Sequence, residues 1–142
     1  MESIVFDLDG TLIDSVPDVA IALNKLLQSQ KRKTFAIDEV RKMIGLGAAD
    51  MIERAFKIRG LPIHNDKLKD AVNSYIKIYN ENPIQDTVIY DGVLDTLQLF
   101  FNQGINMGIC SNKAYRLVNT VTSKLNLKHF FSVLKGGDNV AH

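Results

Sequence analysis

Phe6-Asp7-Leu8-Asp9-Gly10-Thr11-Leu12-Ile13-Asp14-Ser15 follows at once on the apolar pair Ile4-Val5. Ile4, Val5 and Phe6 suit a buried strand of a parallel sheet, and Gly10 breaks the run, so Asp7 and Asp9 fall at the strand's carboxyl end. Ligands of open α/β sheets gather at that end. Residues two apart in an extended segment point to the same side, which brings both carboxylates around one small volume and calls for a cation. A hard, oxygen-seeking ion such as Mg2+ neutralises that pair and an incoming phosphate together. Asp7 is then placed to attack phosphorus and form an aspartyl-phosphate. Asp9 is placed to protonate the leaving oxygen and, in the second half-reaction, to take a proton from water. Gly10 and Thr11 are expected to support the phosphate through backbone N–H groups.

These residues resemble the first motif of the haloacid dehalogenase superfamily of phosphohydrolases, Asp-x-Asp-Gly-Thr behind an apolar strand. An Asp at the second acidic position favours phosphate chemistry over carbon–halogen cleavage. The continuation Leu12-Ile13-Asp14-Ser15-Val16-Pro17-Asp18 is similar to the phosphoglycolate phosphatase group. By this resemblance Asp7 is the nucleophile and a Mg2+ ligand. Asp9 is the acid/base, and its backbone carbonyl also binds the metal. The implied reaction is Mg2+-dependent hydrolysis of a small phosphorylated metabolite. A phosphoglucomutase-like or pyrophosphatase-like enzyme stays open, because these relatives differ mainly in cap contacts.

Ser15 as N-cap, Pro17 in the first turn and Val19, Ala20, Leu23, Leu26 and Leu27 at helical spacing predict a first long helix. Further helices are predicted from about Ile37 to Ile44, from Ala48 to Arg59 and from Asp66 to Asn82, with Gly45, Gly60 and Pro83 as stops. Four helices without an intervening strand suggest a small bundle inserted into an α/β domain, which in the resembled family is the helical cap. The fold class is therefore α/β, a Rossmann-like core of residues 1–14 plus 86–142 with a parallel sheet of about three strands, and a cap of residues 15–85. Gly45 and Gly47, around Leu46, resemble the family's cap loop that selects substrate; a plain helix terminus is the other reading.

After the cap, Val93 to Phe100 predict a helix ended by Gly104, and Ile105 to Cys110 a strand that stops at Ser111-Asn112-Lys113. A strand ending in a hydroxyl residue at a helix start offers an anion site, although an ordinary N-cap has the same look. It resembles the superfamily's second motif, in which Ser111 and the Asn112 N–H bind the transferring phosphoryl group and Lys113 completes a Thr-Asn-Lys-like triplet. A helix from about Ala114 to Lys124 and a strand from Phe130 to Leu134 lead to Gly136-Gly137-Asp138. In the family a Lys-Pro pair follows such a segment, and an acidic fourth motif comes later; neither occurs within these 142 residues. The resemblance thus covers the whole chain but about two-thirds of a usual member. The expected consequences are weak Mg2+ binding, impaired catalysis, and a catalytic strand with one free edge that favours self-association or docking of a C-terminal fragment. A catalytically silent, truncated remnant is the reading from a different functional class.

Composition sets the remaining bounds. With 46% hydrophobic and 23% charged residues and a net charge of +1, the chain reads as an ordinary globular protein. Its lysines and arginines are interspersed with acids, so no stripe suits nucleic acid. No apolar stretch suits a membrane span, and an early catalytic strand leaves no room for a signal peptide, which predicts a cytoplasmic protein. The single cysteine, Cys110, reads as a reduced core residue. His64 and His129 have no second ligand at metal spacing.

Overall fold

The computed structural model describes residues 2–139; of the expected core, residues 1 and 140–142 lie outside this range. The chain divides into two compact units, Met1–Ser15 with Asp86–His142, and Val16–Gln85.

The first unit is a parallel sheet with helical crossovers. Strand β1 (Ser3–Phe6) runs into the Asp7–Ser15 segment, where the short β2 (Ile13–Asp14) pairs antiparallel with β3 (Val88–Ile89). Helix α5 (Val93–Asn102) leads to β4 (Asn106–Cys110), and α6 (Tyr115–Lys124) leads through a 3-10 turn at Lys128–Phe130 to β5 (Val133–Lys135). The order is β1-β4-β5, all parallel, so β1 is an edge strand among the described residues. Ile4 aligns with Met107, and Phe6 with Ile109, which in turn aligns with Leu134. Because side chains alternate along a strand, these residues share one face, and there Met107 and Ile109 are buried with Leu97 of α5 and Leu117, Val118 and Val121 of α6.

Some expectations need correction. The strand of Ile4, Val5 and Phe6 is not buried: Val5 is 68% exposed and Ile4 and Phe6 are half-buried, because β1 stands at the sheet edge among the described residues and turns Val5 to the face away from Met107 and Ile109. Phe130 lies in the 3-10 turn, so the last strand starts only at Val133. The β2–β3 pair escapes periodicity because two-residue strands carry no pattern. Cys110 is exposed, because the alternation that buries Ile109 turns its neighbour to the opposite face.

The second unit is all helical. Helices α1 (Val16–Ser29), α2 (Ile37–Arg41), α3 (Ala48–Ile58) and α4 (Asn65–Glu81) follow the predicted order, with α2 shorter than predicted. Val19, Leu23, Leu26 and Leu27 form the buried stripe of α1, which packs on α4 with its buried Tyr75 and Tyr79, and α3 packs on α4 in turn with Met51, Ile52, Ala55 and Phe56 buried. Two arginines fasten the loops: Arg32 lies 4.2 Å over the Phe56 ring and donates to the carbonyls of Phe56 and Leu61, while Arg59 lies 4.0 Å over Phe35 and reaches Glu39. No helix among the described residues is long and apolar enough to cross a membrane.

Candidate active site

The chain leaves β1 at Asp7 and turns back within a few residues. The Leu8 carbonyl is the hub of this turn, accepting N–H groups from Thr11 (3.2 Å), Leu12 (3.0 Å) and Ile13 (3.3 Å). Gly10 closes the turn with φ 80°, a left-handed backbone that other residues adopt only under strain, and donates its own N–H to the Ile13 carbonyl at 2.8 Å. The N–H groups of Gly10 and Thr11, expected to face a phosphate, are therefore both spent inside the turn in this conformation. Leu8 and Leu12, buried beneath it, anchor the loop to the core.

The carboxylates flanking Leu8 have different surroundings. Asp7 is exposed, and its Oδ1 accepts the Leu8 N–H at 2.7 Å. Asp9 is half-buried, and its Oδ1 is held by two donors, the Ser15 hydroxyl and the Lys113 ammonium at 3.0 Å. Ser15, 1% exposed and placed directly ahead of α1, turns its hydroxyl proton to Asp9. With both donors on Oδ1, Oδ2 is the Asp9 oxygen left for proton exchange.

The second loop sits at the carboxyl end of β4, beside β1. Ser111 is 7% exposed; its backbone N–H donates to Lys135 O at 3.0 Å and its Oγ accepts the Lys113 N–H at 3.1 Å, which leaves the hydroxyl proton to donate elsewhere. That Ser111 turn aims Lys113 back toward Asp9, while Asn112 is exposed. Of the predicted site residues, Asp9 and Lys113 are brought into direct contact, and Ser111 is tied to Lys113 through the backbone.

Sequence reasoning missed the segment that braces this loop. Gly136 and Gly137 lie so close to it that a Cβ would overlap the Tyr115 backbone at the first and the Asn112 carbonyl at the second. Gly137 N donates to Lys113 O at 2.9 Å, and Asp138 Oδ1 accepts the Tyr115 N–H at 2.7 Å, capping α6 from another loop. The only sequence signal was the Gly-Gly-Asp triplet itself. Gly45 and Gly47 belong to the helical unit, where they flank the exposed Leu46 just ahead of α3.

Asp7 and Asp9 present hard oxygen donors of the kind Mg2+ takes, and Mg2+ commonly binds through one or two carboxylates with water and substrate phosphate filling the rest. No three His, Cys, Asp or Glu side chains group as a metal cluster among the described residues. The pair thus fits Mg2+ as a partial ligand set.

Residues 4–142 match the haloacid dehalogenase-like hydrolase family. The chain belongs to this family. Curated haloacid dehalogenase-like relatives include phosphoglycolate phosphatases of Pseudomonas fluorescens, 36% identical over 137 residues, and of Aquifex aeolicus, 36% identical over 139 residues. These alignments take in 95% and 97% of this chain but 50% and 62% of the relatives, so the chain spans about half to two thirds of their length. A predicted phosphoglycolate phosphatase from Haemophilus somnus superposes with a TM-score of 0.91 at 27% identity, covering 100% of this chain and 65% of that one.

Proposed function

We propose that this chain carries the nucleophile and acid/base half of a Mg2+-dependent phosphomonoester hydrolase. The observation that supports this reading most is the convergence of Ser15 and Lys113 on Asp9 Oδ1, which joins the loop after β1 to the loop after β4 at one end of the sheet. The hydrolase family and the phosphoglycolate phosphatase relatives make 2-phosphoglycolate the first substrate to test.

In the first half-reaction an Asp7 carboxylate oxygen bonds to phosphorus while the ester P–O bond breaks, and the departing glycolate oxygen takes the proton from Asp9 Oδ2. In the second, water gives a proton to Asp9 and its oxygen bonds to phosphorus; the phosphorus–Asp7 bond breaks, freeing phosphate and restoring the carboxylate. Ser111 donates its hydroxyl proton to a phosphoryl oxygen, and Lys113 offers positive charge beside it. Asp7 and the Asp9 backbone carbonyl would hold Mg2+, which supplies charge neutralisation for the phosphate when bound. Gly10 and Thr11 shape the turn, and by resemblance the Gly45 and Gly47 loop of the helical unit selects substrate. A cytoplasmic setting suits an exposed single cysteine that stays reduced.

The test is phosphate release from 2-phosphoglycolate and from an aryl phosphate by the purified 142-residue chain, with and without Mg2+, beside Asp7→Asn. Mg2+-dependent turnover that Asp7→Asn abolishes supports the reading. No turnover from a chain shown by circular dichroism to be folded rejects catalysis by these residues alone.

A further inference from the structure

Among the described residues of the first unit, Lys113 is the one cation drawn inward: Arg116, Lys124, Lys128 and Lys135 are exposed, whereas the Lys113 side chain is 8% exposed. An ammonium is a strongly hydrated point charge, and taking it out of water is costly unless an anion meets it. In this structure it meets Asp9 Oδ1, an oxygen that also accepts the Ser15 hydroxyl proton.

The course of the Lys113 chain across the site fixes which end of a substrate the ammonium meets. The Lys113 backbone N–H donates to Ser111 Oγ at 3.1 Å, so the backbone stands beside the hydroxyl that takes the phosphoryl group in the hydrolase reading. The side chain then leads away from that hydroxyl and ends 3.0 Å from Asp9 Oδ1. In a displacement at phosphorus the attacking and leaving oxygens lie roughly in line, on opposite sides of the phosphorus. Asp7 belongs to the attacking side and Asp9, the proton donor, to the leaving side. The ammonium therefore stands with the leaving group, and it shares one carboxylate with the ester oxygen. An alcohol that carries its own carboxylate one carbon from that oxygen brings the anion within reach of Lys113. With three donors, an ammonium can hold Asp9 Oδ1 and a second anion together.

We infer that Lys113 is a specificity-determining residue that binds a carboxylate on the leaving group, so that the site selects phosphate esters of short 2-hydroxy acids. The inference rests on the hydrolase reading and deepens it, because the positive charge beside Ser111 serves the leaving group. An alcohol without the carboxylate forfeits a charge-assisted hydrogen bond, a difference of about tenfold to a hundredfold in affinity.

Two phosphonates test this on the full 142-residue chain in the presence of Mg2+. In 3-phosphonopropionate and propylphosphonate a carbon replaces the ester oxygen, so neither can be hydrolysed, and they differ only in a carboxylate against a methyl group. Calorimetric titration should show 3-phosphonopropionate binding at least about tenfold tighter. Lys113→Met should abolish that preference and Lys113→Arg should keep part of it, with circular dichroism confirming the fold. Lys113→Gln, which lacks the charge but keeps a donor for Asp9, serves in place of Lys113→Met if the latter does not fold. Equal affinities in the unsubstituted chain, a preference that survives loss of the charge, or an equal weakening of both ligands overturns the inference while leaving the hydrolase reading intact. Binding of neither phosphonate, together with no phosphate release from any ester, overturns both.

Discussion

The Lys113 ammonium lies 3.0 Å from Asp9 Oδ1, although the two residues stand 104 positions apart in the chain. The contact exists because β1 and β4 are neighbours and parallel, which brings the loops at their carboxyl ends side by side. Lys113 is nearly buried, with its side chain 8% exposed, so the pair is shielded from the screening that weakens surface ion pairs. Removing the lysine leaves the half-buried carboxylate with Ser15 alone as donor. Lys113→Met is expected to cost about 1–3 kcal/mol of stability. In any active preparation it should lower kcat by about a hundredfold, the usual loss for one charge-stabilising donor. Chemical denaturation and steady-state kinetics check the two effects separately, and Lys113→Arg should recover part of both.

Ser15 and Asp9 form the other half of this arrangement. Ser15→Ala should destabilise by about 1 kcal/mol, and Ser15→Thr, which keeps the hydroxyl, by less. A thermal melt of the three proteins decides the matter; equal midpoints would mean that the bond to Asp9 contributes nothing to the fold.

The brace formed by Gly136 and Asp138 invites a paired test. Gly136→Ala drives a methyl group into the Tyr115 backbone and should cost about 2–3 kcal/mol with loss of Lys113–Asp9 proximity. Asp138→Ala removes the cap on the Tyr115 N–H and should cost about 1 kcal/mol, whereas Asp138→Asn keeps an acceptor and should cost less. Urea midpoints give the ranking.

Leu97 is the only fully buried side chain of α5, at 1% exposure. Leu97→Ala is therefore expected to cost about 2–5 kcal/mol and to loosen the helix from the sheet. Hydrogen exchange should show α5 amides losing protection before those of α6.

Glu39 provides a pH signature within the helical unit. Its carboxyl is held below its ordinary value of 4.5, first by the hydrogen bond from the Ala36 N–H, which outweighs the opposing loss of solvation, and then by the charge and hydrogen bond of Arg59. A depressed carboxylate adds stability above its unfolded value and gives it up as pH falls through the folded one. Below about pH 4.5 the wild type should lose stability more steeply than Glu39→Gln, as read from melting temperature against pH.

Much of the fold was legible because its signals are local. Apolar residues at helical spacing marked α1, α3 and α4 to within a residue or two, and the glycines at 60 and 104 marked the stops of α3 and α5, whereas α2 ends at Arg41, well ahead of Gly45. Signals that depend on partners were not legible. Phe130 has a strand former's character, yet it is buried in a 3-10 turn, against Phe101 at 5.9 Å between ring centroids. Cys110 sits in an apolar strand like its neighbour Ile109, but strand alternation, set by register with β1 and β5, assigns them to opposite faces.

The sequence by itself determined that Asp7, Asp9 and Ser111 stand at strand ends, since Asp-x-Asp-Gly after an apolar run and Ser after another are readable from order alone. Only the tertiary structure decided how those residues use their hydrogen bonds. It gave the Ser15 hydroxyl proton to Asp9, spent the Gly10 and Thr11 N–H groups inside the turn, set the Lys113 ammonium beside Asp9, and left Val5 and Val133 exposed on one face of the sheet. The reason is physical: periodicity records which side of an element is apolar, but donors and acceptors select one another across strands that only folding brings together.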